Sequence, residues 1–69
     1  MLPELSPRLA VVPVPSDLER IELFIVEKDG QQVAGLGRVA RSWVLTFEQG
    51  DPLTFSKTRQ VVRFLNQLV

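Results

Sequence analysis

Apolar and polar positions alternate along much of the chain, and this alternation predicts several short strands followed by one helix. The clearest strand is SWVLTFE, in which Trp43, Leu45 and Phe47 fall on one side and Val44 and Thr46 on the other. The letters QGDP then indicate a turn, and LTF is expected to form a short additional strand. The middle of the chain is therefore predicted to be an antiparallel sheet.

The segment SDLERIELFIVEKDG supports two interpretations. Ser16 and Glu19 match the capping-box pattern of a helix start, whereas the β-branched and aromatic run IELFIV favours a strand. The pair Asp29–Gly30 between two apolar runs is typical of a type I′ hairpin turn, which needs positive φ. We favour a strand from about residue 20 to 28, and strand against helix stays open for residues 17–28.

In such a strand, successive side chains point to opposite faces of the sheet. We expect Ile21, Leu23 and Ile25 to face the core. Phe24 and Val26 would then lie on the other face and need a cover of their own. A sheet with apolar residues on both faces predicts either a covering segment or a second chain.

The next strand, QQVAGLGRV, is interrupted by Gly35 and Gly37, which we expect to mark a bulge, a bend or a close backbone approach. The letters GLGRVA also match a variant of the dinucleotide-binding fingerprint. That fingerprint works only where a helix begins at the glycine turn, and here a strand follows. Nucleotide binding is therefore not expected.

The C-terminal letters KTRQVVRFLNQLV are typical of an amphipathic helix, with Ser56 as its expected N-cap. Arg59, Arg63 and Gln67 would line the solvent face. The apolar stripe is formed by Val61, Val62, Phe64, Leu65, Leu68 and Val69. The element order predicts an α+β fold: a small antiparallel sheet of three to four strands with one C-terminal helix packed on one face.

Residues 1–16 contain four prolines, which exclude a helix and a central strand. We expect this segment to be an extended Pro-rich arm or an edge strap lying on a single β-β-β-(β)-α domain of residues 17–69. The N-terminus lacks the features of a signal peptide, and no apolar run approaches the length of a membrane helix. The expectation is a soluble cytoplasmic protein.

The composition narrows the chemistry further. The chain has 69 residues, 45% of them apolar, and a formal net charge of zero, which is typical of a folded domain. It contains no Cys, His or Tyr, so a disulfide, an ordinary zinc site and the usual acid–base catalysts are all missing. We therefore expect no catalytic residues, no metal and no cofactor.

The charges are unevenly distributed along the chain. Residues 1–29 hold six acidic and three basic residues, whereas residues 30–69 hold two acidic and five basic residues. Trp43 is expected in the core rather than as a platform for a base, and Arg41 either beyond the end of the sheet or beside a bulge near Ala40. Candidate contacts to an anion or a nucleic acid are Arg38, Arg41, Lys57, Arg59 and Arg63.

These observations predict a small non-catalytic binding or regulatory module that acts through protein–protein interaction and self-associates as a homodimer. The candidate interface residues are Phe24, Val26, Val44 and Val69. The alternative is a DNA- or RNA-binding domain that uses a basic face of the sheet and helix. The element order over residues 20–69 is similar to that of integrase arm-binding domains and of dimeric single-stranded-DNA-binding coactivator domains.

Overall fold

Five strands and one helix make up the computed structural model, which describes residues 4–69. The strands pair antiparallel in chain order, and the helix packs on one face of the sheet. The elements are β1 (Leu9–Val14), β2 (Ile21–Lys28), β3 (Gln31–Val39), β4 (Ser42–Thr46), β5 (Leu53–Phe55) and α1 (Thr58–Asn66). The α+β class is confirmed, with five strands rather than the three to four predicted.

The additional strand comes from the proline-rich N-terminal segment. β1 pairs with β2 from Leu9 opposite Lys28 to Val14 opposite Leu23. Because β1 is an edge strand, the missing N–H of Pro13 is tolerated. This segment was expected to be an extended arm or an edge strap, and its residues 1–3 are outside the described residues. Residues 9–14 form an edge strand that widens the sheet, and they do not cover its second face.

The β2–β3 hairpin has the predicted turn. Asp29 and Gly30 both have positive φ, 53° and 85°, as a type I′ turn requires. The helical alternative for residues 17–28 is wrong, because β2 begins at Ile21 and the preceding residues form a turn. In that turn the Ser16 hydroxyl accepts a hydrogen bond from the Leu18 N–H at 3.2 Å, so it does not cap a helix.

The two faces of β2 are the reverse of those predicted. Val26 is fully buried beneath the helix and Phe24 packs against the same core. Their partners across the strand pair, Ala34 and Leu36, are also buried. Since β2 is apolar at both odd and even positions, alternation alone did not determine which set faces the helix; the register with β3 does.

The core lies between the sheet and α1. Trp43 and Leu45 are buried, as predicted, and the helix contributes Val61 and Leu65, both with no exposed surface. The buried cluster consists of Leu9, Val26, Ala34, Leu36, Trp43, Leu45, Val61 and Leu65. No helix among residues 4–69 is both long and apolar enough to cross a membrane.

The start of the helix differs from the prediction. Lys57, not Ser56, is the N-cap, and its side chain makes no capping hydrogen bond. The Gln60 side-chain oxygen instead accepts hydrogen bonds from the Ser56 and Lys57 N–H groups, both at 3.2 Å. Gln60 therefore binds backbone N–H groups that precede the helix, which is the glutamine half of a capping box and not the bond to a first-turn N–H expected of Ser56.

Residues 4–8 fasten the N-terminal segment to the helix side of the sheet. Asn66 accepts a hydrogen bond from the Ser6 N–H at 2.8 Å and donates one to the Glu4 carbonyl at 2.9 Å. Arg8 pairs with Asp29 in the β2–β3 turn, with its Nη2 atom 2.6 Å from a carboxylate oxygen. The hydrogen-bonded Arg8 guanidinium holds the pKa of Asp29 below its usual range.

Candidate functional site

The sheet face that the helix does not cover is almost entirely apolar. Val12, Leu23 and Val39 on this face expose 41%, 38% and 43% of their surface. We call this surface the open face; it is formed by Val12, Val14, Ile21, Leu23, Ile25, Gly35, Gly37, Val39, Val44 and Thr46. Its residues lie in cross-strand rows, and none of them is ionisable.

A groove of about 510 Å³ runs along β3 in the middle of the open face. Its floor is formed by Gly35 and Gly37, between the β2 side chains Leu23 and Ile25 on one side and Val44 on the other. We predicted that the glycines would mark a bulge, a bend or a close backbone approach, and no bulge lies at either of them. The register shift lies instead between Val26 and Glu27, and both glycines are regularly paired.

Nothing in the backbone requires glycine at these two positions. Neither Gly35 nor Gly37 has positive φ. A Cβ at Gly37 would lie 3.7 Å from Leu23 Cδ2, and one at Gly35 would lie 4.0 Å from the Thr46 carbonyl oxygen, which are ordinary contacts. Glycine weakens a strand interior. What the two glycines provide here is the depth of the groove.

The structure revises the candidate interface residues. Val44 lies on the open face, opposite Gly37. Phe24 and Val26 were wrongly placed on the uncovered face, because both pack against the core beneath the helix. Val69 lies beyond the end of α1 and is 40% exposed. It follows Leu68, whose carbonyl accepts a hydrogen bond from Lys28 on the helix side.

Sequence reasoning missed most of the open face, namely the outward residues of β1 and β2 and Val39. The available signal was the run IELFIV, which is apolar at both parities, together with two glycines in the neighbouring strand. A strand that is apolar on both sides indicates a second buried surface, but its pattern does not say which side the helix takes.

The candidate cations are spread over several places. Arg41 lies in the two-residue turn between β3 and β4, beyond the end of the sheet, as one of the two alternatives predicted. Arg59 and Arg63 line one groove between α1 and Glu4 of the N-terminal segment, and Lys57 precedes them in the chain. Among residues 4–69, the single ion pair is Arg8–Asp29, so none of these cations is within ion-pair distance of a carboxylate, although Glu4 lines the same groove as Arg59 and Arg63.

Arg38 occupies a different environment, on the helix side of the sheet. Its guanidinium carbon lies 5.2 Å from the centre of the Trp43 ring, and Glu22 is its opposite neighbour on β2. Trp43 is 5% exposed, and its Nε1–H donates a hydrogen bond to the Thr58 hydroxyl at 3.2 Å. Trp43 is thus a core residue at the wall of a cleft of about 670 Å³.

Comparisons of this chain with protein-family models, with curated proteins and with solved structures find no match.

Proposed function

We propose that this protein is a non-catalytic interaction module that forms a homodimer through the open face. The uncovered apolar face carries the proposal. Its four strands, at about 4.8 Å spacing and about five residues each, span roughly 19 Å by 17 Å. The accessible area of such a surface reaches the range in which exposed apolar patches mark interaction sites.

The sheet edges offer a poorer route to association. β1 contains Pro13 and is followed by Pro15, so it cannot present a continuous row of free N–H groups. β5, at the other edge, is only three residues long. Pairing between strands of two copies is therefore disfavoured at both edges, and the face is the surface that remains.

The groove suggests how two copies would fit together. A two-fold axis parallel to the strands, between β2 and β3, places β2 of one copy over β3 of the other. Because Leu23 pairs with Gly37 and Ile25 with Gly35 within one sheet, this rotation sets Leu23 opposite the partner's Gly37. Ile25 likewise lies opposite the partner's Gly35. Each copy inserts two large side chains into the groove of the other, as an isologous interface requires.

The same rotation matches the remaining strands. β1 of one copy lies over β4 of the other, so Val14 faces the partner's Val44 and Val12 faces the partner's Thr46. β5 projects beyond the contact. Every matched position is apolar, glycine or threonine, and two sheets packed in this way have the layer arrangement of a β-sandwich.

The charged residues at one end of the sheet support this two-fold axis, because the axis brings opposite charges of the two copies together. Arg41 lies between β3 and β4, and the rotation brings it over the partner's loop between β1 and β2. That loop contains Asp17 and Glu19 with one cation, Arg20, so it is net negative. Since Arg41 has no carboxylate partner within its own described chain, the partner's loop supplies one.

The size of the contact sets the expected strength. Its footprint of roughly 320 Å² per copy is below the about 800 Å² per partner of standard stable interfaces, so we expect a weak, transient association with a dissociation constant on the order of 1–100 µM. The module would then associate at moderate concentration and exchange readily.

A mixing experiment tests the proposal and its axis together. We expect Arg41→Glu to weaken self-association, since glutamate then faces the partner's Asp17 and Glu19. The double variant Asp17→Lys with Glu19→Lys should weaken it as well, because lysines then face Arg41. Mixed in equal amounts, the two variants should form a heterodimer, because each contact again joins opposite charges.

Native mass spectrometry or light scattering of the two variants, alone and mixed, measures this outcome. Charge reversal at Arg63, which lies on the solvent side of α1, is the control and should leave the dimer unchanged. If both variants dimerise like the original chain, or if mixing restores nothing, this arrangement is excluded.

Nucleic-acid binding is the second candidate, and the unpaired cations Lys57, Arg59 and Arg63 favour it. Three phosphate contacts predict that log K for duplex DNA falls with log salt at a slope of about −2.7. Replacing Arg59 and Arg63 with glutamine should reduce the slope to about −0.9, as measured by mobility shift or heparin retention. Arg8→Gln is the control, because Arg8 is already paired with Asp29 and its replacement should leave the slope unchanged. If the original chain does not bind DNA at low salt, nucleic-acid binding is excluded as a function.

A further inference from the structure

The cleft on the helix side of the sheet is separate from the open face. It lies between β1, the segment of residues 5–7 and the start of α1, and its volume is about 670 Å³. Small-molecule sites commonly measure roughly 300–1,000 Å³ and combine mainly apolar walls with a few polar groups. Because it opens on the opposite side of the sheet, dimerisation through the open face would leave it accessible.

The walls of the cleft are largely apolar. Phe24 and Trp43 form an aromatic pair with ring centres 5.9 Å apart, and Leu9 and Val11 line the β1 side. These side chains already belong to the core or pack against it. The walls are therefore held in place, and an apolar ligand would displace only water.

Arg38 is the cation of this cleft, and it is already positioned. Its guanidinium lies over the Trp43 ring, with the guanidinium carbon 5.2 Å from the ring centre. Glu22 is opposite Arg38 across the strand pair, yet the two do not form an ion pair within the described residues. The contact with Trp43 holds the guanidinium beside the ring, and the planar fork of N–H groups on a guanidinium can bind a carboxylate bidentately.

Glu22 also limits what the cleft can accept. Beside Arg38 it brings the local charge close to zero, so a multiply charged phosphate would meet repulsion as well as attraction. A singly charged anion with an apolar body suits both the cation and the walls. We propose that this cleft binds a small amphipathic carboxylate, with the carboxylate on Arg38 and the apolar body against Phe24 and Trp43.

Phenylacetate is a suitable probe, and the indole of Trp43 in the protein can report its binding. Trp43 is the one tryptophan in the chain, so its Nε1–H gives a single indole signal in a ¹⁵N–¹H spectrum. We expect phenylacetate to shift this signal with a dissociation constant on the order of 1 mM, as is usual for so small a ligand. Phenylacetamide, which lacks the charge, and inorganic phosphate, which lacks the ring, should bind at least about tenfold more weakly.

Two substitutions should move the affinity in opposite directions. Arg38→Gln should weaken phenylacetate binding about tenfold or more, whereas Glu22→Gln should strengthen it by removing the repulsion. Arg38→Lys keeps the charge without the bidentate fork and should be intermediate. Arg63→Gln, on the outer side of the helix, should have no effect. Circular dichroism of each variant verifies its fold.

Equal affinity for phenylacetate and phenylacetamide would overturn the proposal, as would unchanged binding in Arg38→Gln. The absence of a Trp43 shift at roughly 10 mM phenylacetate, about ten times the expected dissociation constant, would also overturn it. None of these results depends on the oligomeric state. A protein that stays monomeric would therefore contradict the proposed dimer and leave the proposed ligand site in the cleft unaffected.

Discussion

A Gly37→Val variant is expected to be a monomer that folds more stably than the original chain. In the monomer, a Cβ at this position makes only ordinary contacts, the nearest 3.7 Å away at Leu23 Cδ2. Valine also suits a strand better than glycine, by up to about 1 kcal/mol. In the proposed dimer, however, valine would fill the space that receives Leu23 of the partner subunit.

Gly37→Val should destabilise the dimer strongly, because the two-fold axis places the substituted residue at two sites in the interface. Overpacking by a few methylene groups costs about 1–3 kcal/mol at one site, and the interface contains two such sites. We therefore expect self-association to weaken by roughly a hundredfold or more. Sedimentation velocity reports the association, and urea unfolding at low concentration reports the stability of the monomer.

Thr54→Val is the matched control for this substitution. Thr54 lies in the same cross-strand row, opposite Val44, but on β5, which projects beyond the contact. It adds an apolar β-branched residue to the same face without entering the interface, so dimerisation should be unchanged. A Gly37→Val chain that dimerises as well as the Thr54→Val chain would contradict the proposed packing of Leu23 into the groove.

A Leu65→Ala variant is expected to be largely unfolded or close to it. Leu65 has no exposed surface and joins the helix to the buried cluster of the sheet. Removing a buried leucine side chain costs about 2–5 kcal/mol. A domain of this size has a total stability of only about 3–10 kcal/mol, so a single cavity can remove most of it.

Urea unfolding monitored by circular dichroism measures this loss, and Arg63→Ala serves as the control. Arg63 lies in the same helix but is exposed, so its replacement should change stability by no more than about 0.5 kcal/mol. Equal stability of the two variants would mean that the helix is not packed on the sheet as described.

The positions of the strands were largely predictable because local chemistry determines them. The Asp29–Gly30 turn marked the β2–β3 hairpin, and the alternation around Trp43 marked β4 and its buried side. The pairing of β1 was harder to predict. Its prolines exclude a central strand but leave open whether an extended segment joins the edge of a sheet or lies across it.

The site was less predictable than the fold. The sequence shows that β2 is apolar on both faces, but the choice of face depends on the register with Ala34 and Leu36, which is a long-range property. The effect of Gly35 and Gly37 likewise depends on their neighbours. Between large side chains on two adjacent strands, two regularly paired glycines produce a groove and not a bulge.

The molecular mass of the unsubstituted chain in solution tests the central proposal most directly. Sedimentation equilibrium should be measured from about 1 µM to about 1 mM, a range that brackets the expected dissociation constant. We predict a mass that rises with concentration towards twice the 7.8 kDa of one chain. A mass that stays at 7.8 kDa up to the highest concentration would contradict the proposal that the open face joins two copies.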